Sequence, residues 1–286
     1  MIIYMRIIKK ISELQTLVGS LRREGKTIGF VPTMGYLHQG HISLVKASRQ
    51  ANDITIVSIF VNPTQFGPNE DFEKYPRDID SDSRKAEEAG VDIIFIPTVK
   101  EMYPDNYSTY VEVLGITDKL CGKSRPGHFK GVCTVVLKLF NIVDPDSAYF
   151  GQKDAQQAAV ISRMVRDLNS AVRIITCPIV RESDGLAMSS RNVYLSNEER
   201  KAALVLSKSL NEAAGVIENG EANSEKLRDY IINIISSEKL ADIDYVEILD
   251  ARTLEFKETL KGRMLLAVAV RFGKTRLIDN VIVEVN

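Results

Sequence analysis

At 286 residues the chain is long enough to bury a full core and to hold two domains of unequal size. Its apolar share of 44% and charged share of 26% are those of an ordinary soluble globular protein, and 37 Lys plus Arg against 38 Asp plus Glu lack the basic excess of a dedicated nucleic-acid binder. Three scattered cysteines, Cys121, Cys133 and Cys177, fit no disulfide framework and no structural metal spacing, so they read as reduced thiols in a cytosol.

The first ten residues are apolar, but Arg6 interrupts them and Lys9–Lys10 follow, too short and too charged for a signal peptide or membrane span. The chain is therefore expected to be cytoplasmic, with no membrane partner. Ser12 and Gln15 have capping-box spacing ahead of Leu14, Leu17, Val18 and Leu21, with Gly25 as a stop. Thr27–Val31 reads as a buried strand, and residues 32–40 as a loop. A helix should open near Gly40 or His41 and end near Ala51. Strands are expected at 54–61, Val91–Ile96, Ala148–Phe150 and Val172–Thr176. Helices are expected at 80–89, within 129–143 and over Ala155–Leu168. This alternation predicts an α/β fold, a parallel sheet wrapped by helices, with ligands at the carboxyl ends of the strands.

After Pro178 the alternation stops. Leu206, Leu210, Ala213, Ala214 and Ile217 keep helical spacing, as do Leu227, Tyr230, Ile231, Ile234 and Ile235. Strand-like runs follow at Asp244–Leu249, Met264–Arg271 and Leu277–Val285. We expect a Rossmann-like domain over residues 1–179 and a smaller α+β domain over 180–286.

Four stretches carry chemistry. In Val31–Val45 (V-P-T-M-G-Y-L-H-Q-G-H-I-S-L-V) a strand enters a loop with Gly35 and Gly40 and then a helix opened by His41. Free amides at a helix start seat phosphates, and His38 and His41, three apart, can face one anion. The plain alternative is a pair of capping histidines. In I-F-V-N-P-T-Q-F-G (59–67), Asn62 and Gln65 are amides able to donate and accept, suited to a substrate with hydroxyls and a carboxylate, although Asn62-Pro63 is also ordinary turn chemistry. In Y-F-G-Q-K-D-A-Q-Q (149–157), Gly151 precedes Lys153 and Asp154 at a helix start. Gln157 follows Lys153 by four residues, on what would be the same helical face. In R-E-S-D-G-L-A-M-S-S-R-N (181–192), paired serines stand beside Arg191.

The H-x-G-H pattern resembles the HIGH motif of nucleotidyltransferases, and M-S-S-R-N resembles the KMSKS loop of the same superfamily. Together with Y-P-R-D (75–78) and R-P-G-H-F (125–129), the whole set resembles the pantothenate synthetase (pantoate–β-alanine ligase) family over nearly the full chain. The resemblance implies coupling of pantoate to β-alanine with ATP and Mg²⁺, through an acyl adenylate, by a homodimer joined through its amino-terminal domain. It assigns ATP to Met34, Gly35, Tyr36, Leu37, His38, Gln39, Gly40 and His41. It extends that site to Gly151, Gln152, Lys153 and Asp154, and to Val180, Met188, Ser189, Ser190 and Arg191. His41 is implied as the active-site histidine with His38 beside it; Lys153, read from its place after Gly151 as a phosphate-reaching cation rather than half of a solvated Lys-Asp pair, is the third catalytic group expected. Gln65 and Gln157 would hold pantoate, with Gln65 also near β-alanine. Ser81 interrupts the acidic run that related chains often carry here, leaving Asp80 and Asp82 as alternatives on the Mg²⁺ side. The carboxy-terminal domain would close the 181–192 loop over the site, since an acyl adenylate must be kept from water. Two rivals are a transferase that adenylylates a phosphate ester and a non-catalytic ATP-binding regulator.

Overall fold

A computed structural model describes residues 5–68 and 70–286. The chain forms two compact units: Met1–Gly151 with Val160–Pro178, and Gln152–Ala159 with Ile179–Asn286. The short segment Gln152–Ala159 thus goes with the second unit, a grouping that one boundary near residue 180 does not capture.

The first unit is built on a sheet of β1 (Arg6–Ile8), β2 (Ile28–Thr33), β3 (Ile54–Ile59), β4 (Ile93–Phe95), β5 (Ser147–Gly151) and β6 (Arg173–Cys177). Its order is β1-β4-β3-β2-β5-β6, and every pairing is parallel. Interleaved with these strands run α1 (Ile11–Arg23), α2 (Gln39–Ala51), α3 (Ile79–Glu88), α4 (Val99–Met102), α5 (Leu120–Ser124), α6 (His128–Val143) and α7 (Ala155–Asp167). All six residues of β3 are buried, as a parallel strand covered on both faces should be. The order reverses between β2 and β5, so the carboxyl ends of these neighbouring strands form the switch point where such sheets receive ligands. The loop after Thr33 and the turn after Gly151 both start there.

Three local readings change. β1 is too short and too charged to announce itself, and exists because Arg6–Ile8 pairs with Ile93–Phe95 at the sheet edge. The capping box at Ser12 does not form: α1 starts at Ile11, whose amide is capped by Glu101 Oε1 at 3.0 Å, and Ser12 lies inside the first turn. Residues 152–154 form a 3₁₀ turn before α7, so Lys153 is outside the α-helix and the shared-face spacing with Gln157 does not apply. Close packing depends on Gly29: a Cβ there would sit 2.1 Å from Ser48 Oγ, so the glycine lets α2 press against β2.

In the second unit, α8 (Asn197–Ala203), α9 (Val205–Glu218) and α10 (Ser224–Ser236) accompany an antiparallel sheet of β7 (Ala241–Asp250), β8 (Gly262–Phe272) and β9 (Thr275–Val285). The order is β7-β8-β9. Leu206, Leu210, Leu227, Ile231 and Ile235 share a core with Val246, Val268 and Phe272. Sequence reading overlooked α8, whose start signal is plain in retrospect: Ser196 Oγ accepts from Glu199 N at 3.1 Å while Glu199 Oε2 accepts from Ser196 N at 2.8 Å. Among the described residues, no helix is long and apolar enough to cross a membrane.

Candidate active site

Two left-handed residues, Gly35 (φ 85°) and Tyr36 (φ 53°), turn the chain sharply after β2. Tyr36 tolerates this conformation because α3 grips the loop. Asp82, 1% exposed, accepts from Tyr36 N at 2.7 Å and Leu37 N at 2.6 Å, and Lys85 Nζ donates to Leu37 O at 2.8 Å. Gly35 is needed for its backbone and for space, since a Cβ would lie 2.9 Å from Ile59 Cγ2 and 3.0 Å from Asp82 Oδ2. Burial pushes the Asp82 carboxyl above its ordinary pKa, against the two amides and Lys85, which pull it down.

His38 caps α2. Its Nδ1 accepts from Gly40 N at 3.1 Å, while His41 Nδ1 accepts from His38 N at 3.3 Å. Because each Nδ1 is an acceptor, each neutral ring carries its proton on Nε2. The rings lie 4.1 Å apart, centroid to centroid, and are tilted by 36°. Capping uses Nδ1 of each ring and is therefore compatible with a role for Nε2. Several of the loop and helix-start amides already have partners within the loop. Gly35 N bonds Thr33 Oγ1, Tyr36 and Leu37 N bond Asp82, His38 and Gly40 N bond the imidazoles, and His41 N bonds His38 O. The loop thus ties most of its own amides in folding.

The second stretch forms a 3₁₀ turn, Pro63–Gln65, capped by Asn62. Asn62 is 1% exposed: its amide hydrogens go to Gln65 Oε1 (3.1 Å) and Gly131 O (3.2 Å), and its Oδ1 accepts from Tyr103 OH at 2.8 Å. Burial pushes the Tyr103 phenol up to about 12, so it stays a neutral donor. Gln65 Nε2 meets Met34 Sδ at 3.1 Å, joining this turn to the histidine loop. The Gln65 backbone carbonyl is held by His128 Nδ1 (2.8 Å) and Arg125 Nη2 (3.3 Å). Arg125 can only donate, so His128 Nε2 accepts from it and the His128 proton sits on Nδ1. Arg125 also pairs with Glu70. Burial would raise the Glu70 pKa, but this pairing and the Gly67 amide hold it below the ordinary value. Gly131 lets α6 lie against the turn: a Cβ there would be 2.3 Å from Thr64 O. Sequence reading placed Arg125 and His128 only in a family string; the signal it could have used is that His128 is the third of three histidines.

In the second unit, Lys153 is half-buried and its ammonium makes a loose 3.9 Å pairing with Asp154. Gln157 is half-buried and its neighbour Gln156 is buried. The 181–192 stretch is a small hairpin followed by a turn: Arg181 bridges Ala187, Met188 N donates to Val180 O at 3.0 Å, and Gly185 (φ 95°) makes the bend. Ser189 then caps the 3₁₀ turn Ser190–Tyr194, its Oγ accepting from Arg191 N at 3.3 Å.

Among the described residues, no three His, Cys, Asp or Glu side chains cluster as a metal cage. Of the two carboxylates weighed for Mg²⁺, Asp82 has both oxygens committed to loop amides, whereas Asp80 is exposed in the first turn of α3.

A parallel sheet with a glycine- and histidine-bearing loop at its reversal point defines a class: Rossmann-like α/β proteins that seat a phosphate-bearing ligand where strand passes into helix. Comparison with known proteins narrows the class. The family model described as pantoate–β-alanine ligase matches residues 6–282. The pantothenate synthetase of Acetivibrio thermocellus is 66% identical over 281 residues, covering 98% of this chain and 100% of its own. Among solved structures, pantothenate synthetase from Thermus thermophilus superposes with a TM-score of 0.92 at 45% identity, covering 97% of this chain and 99% of that one. The pantoate–β-alanine ligase of Francisella tularensis, solved with beta-gamma ATP and β-alanine, gives 0.78 at 39% identity, covering 97% of each. This chain belongs to the pantoate–β-alanine ligase family.

Proposed function

We propose that the chain condenses pantoate with β-alanine to give pantothenate, AMP and pyrophosphate, through an enzyme-bound pantoyl adenylate. The observation that carries this reading is the pair of adjacent imidazoles, each fixed through Nδ1 at the start of α2, in a chain that matches the family over residues 6–282. ATP takes the loop Met34–His41, the turn Gly151–Asp154, and Val180 with Met188–Arg191. A pantoate carboxylate oxygen attacks the α-phosphorus and pyrophosphate leaves. His41, with His38, donates to oxygens whose charge grows as phosphorus becomes five-coordinate, and Lys153 neutralises the same charge. The β-alanine amine then attacks the acyl carbon and AMP leaves.

Gln65 and Gln157 bind pantoate. Asn62, spent on the turn, serves the substrate by aiming Gln65. Mg²⁺ would enter with the triphosphate and would offset its charge; of the two carboxylates weighed for it, Asp80 is the exposed one that could meet it. We read the protein as a cytoplasmic homodimer joined through its first unit, where Tyr110 and Leu114 are 49% and 77% exposed.

The test is exchange of labelled pyrophosphate into ATP. Pantoate alone should support it, because adenylate formation precedes the amine. A strict requirement for β-alanine, in protein shown to bind pantoate, would refute a free-standing first step. A stable nucleotide-linked product instead of AMP would favour a phosphate-ester adenylyltransferase.

A further inference from the structure

Lys153 lies in a three-residue 3₁₀ turn, and among the described residues its ammonium makes a loose pairing with Asp154. The main chain of that turn is held from far along the sequence. Asn280 in β9 is 4% exposed and spends both amide hydrogens on it, donating to Gln152 O at 2.9 Å and Lys153 O at 3.0 Å. Its Oδ1 accepts from Gln152 Nε2 at 3.2 Å. The preceding residue, Asp279, is 2% exposed and points to the other face of the strand, where its carboxylate takes both terminal nitrogens of Arg181 at 2.6 and 3.0 Å. The same carboxylate accepts from Asn280 N at 2.8 Å, and Arg181 Nη1 also donates to Gly185 O. Two consecutive residues of one strand thus fix the lysine turn and the base of the 181–192 hairpin, all within the second unit.

We infer that Asn280 is a positioning residue for Lys153 in adenylate formation, with Asp279 bracing the hairpin beside it. This rests on the reading of Lys153 as the cation that reaches the phosphates. Two donors on one nitrogen satisfy the adjacent carbonyls, and of the side chains that offer them asparagine is the shortest, at a strand position that would otherwise accept many residues. In Asn280→Asp, an oxygen replaces that nitrogen: both carbonyls lose their donor and face a negative charge. In Asn280→Ala they are merely left without a partner. A displaced turn moves Lys153 from the developing charge, and misplacement on the scale of an ångström costs on the order of 10²-fold in rate.

The experiment is a double-mutant cycle on single-turnover adenylate formation, using the full-length protein with Lys153→Ala, Asn280→Asp and the combination. The expected result is a loss of roughly 10²-fold for Asn280→Asp alone, a smaller loss for Asn280→Ala, and less than about twofold further loss when Asn280→Asp is added to Lys153→Ala. Equal factors in both backgrounds mean that Asn280 acts through general integrity, and overturn the inference while leaving Lys153 in its role. Near-normal Lys153→Ala overturns the phosphate assignment itself, and this inference with it. If Asn280→Asp does not fold, the same cycle with Asn280→Ala decides between the same outcomes.

Discussion

The histidine loop of the first unit and the lysine turn of the second, two segments that we propose for ATP, are held in opposite ways. In the loop the tied groups are backbone N–H, taken by Asp82 and by the two imidazoles. In the turn the tied groups are backbone C=O, taken by the amide of Asn280. The loop is anchored mainly by its own side chains and the next helix but one, the turn by a strand 127 residues away from Lys153. The lesson is about where charge is placed. On the proposed reading, tying the loop amides makes the imidazoles the donors, and holding the carbonyls of the turn positions the Lys153 ammonium.

The contrast can be tested by breaking each side. Lys153→Ala should have the largest effect, a fall of about 10²–10³-fold in adenylate formation, the usual scale for one donor to developing charge, with thermal stability little changed. Near-normal pyrophosphate exchange would make Lys153 a surface cation.

Asp82→Asn should come next. Its amide can accept from one of Tyr36 N and Leu37 N but must turn its own N–H₂ toward the other, leaving a buried donor unmatched at a cost of about 1–3 kcal/mol in stability. Chemical denaturation would read this directly, and the Mg²⁺ dependence of the reaction should stay as in the parent. Full stability with a shifted Mg²⁺ dependence would return Asp82 to the metal.

Gln157→Leu should weaken pantoate by about 1–3 kcal/mol and ATP much less, since it removes hydrogen bonds while nearly preserving volume. Equal weakening of both ligands in calorimetry would point to packing instead. The smallest effect belongs to the support of Gln65. Glu70 has a folded pKa below its ordinary 4.5 because Arg125 and the Gly67 amide outweigh burial. Its pairing therefore contributes stability that is complete above 4.5 and is lost as pH falls through the lowered folded value. Between about pH 6 and pH 3, Glu70→Gln should show a shallower acid-side decline than the parent in denaturant titrations. Parallel curves would remove Glu70 from the account of that turn.

Much of the sheet is legible in the chain because parallel strands buried on both faces appear as apolar runs, as in β3, and their spacing by helix-length segments dictates crossovers. The histidine loop is legible for a different reason: its residue types are rare and close together. What escaped reading are contacts between distant residues. No local pattern says that Glu101 caps Ile11, that Asp82 is spent on Tyr36 and Leu37, or that Asn280 reaches Gln152 and Lys153. Asp82 shows the difficulty best, because an acidic residue at a helix start looks the same in sequence whether it meets water, a metal or two buried amides. Asn62 and Gln65 were legible as a pair of amides, but only the structure separates Asn62, whose amide hydrogens both go to building the turn, from Gln65, also buried, whose amide reaches Met34.

The central claim is that His41 acts on charge that develops, rather than on ATP at rest. Its Nδ1 is fixed by the His38 amide, so its Nε2–H is oriented before any ligand arrives. The direct measurement is equilibrium ATP binding beside single-turnover adenylate formation in His41→Ala and His41→Gln. The account predicts ATP binding within about tenfold of the parent, ~1.4 kcal/mol, with adenylate formation reduced on the order of 10²–10³-fold in His41→Ala and less in His41→Gln, which keeps a donor. Loss of ATP binding in His41→Ala, with the remaining chemical step still fast, would contradict it and make His41 a nucleotide anchor.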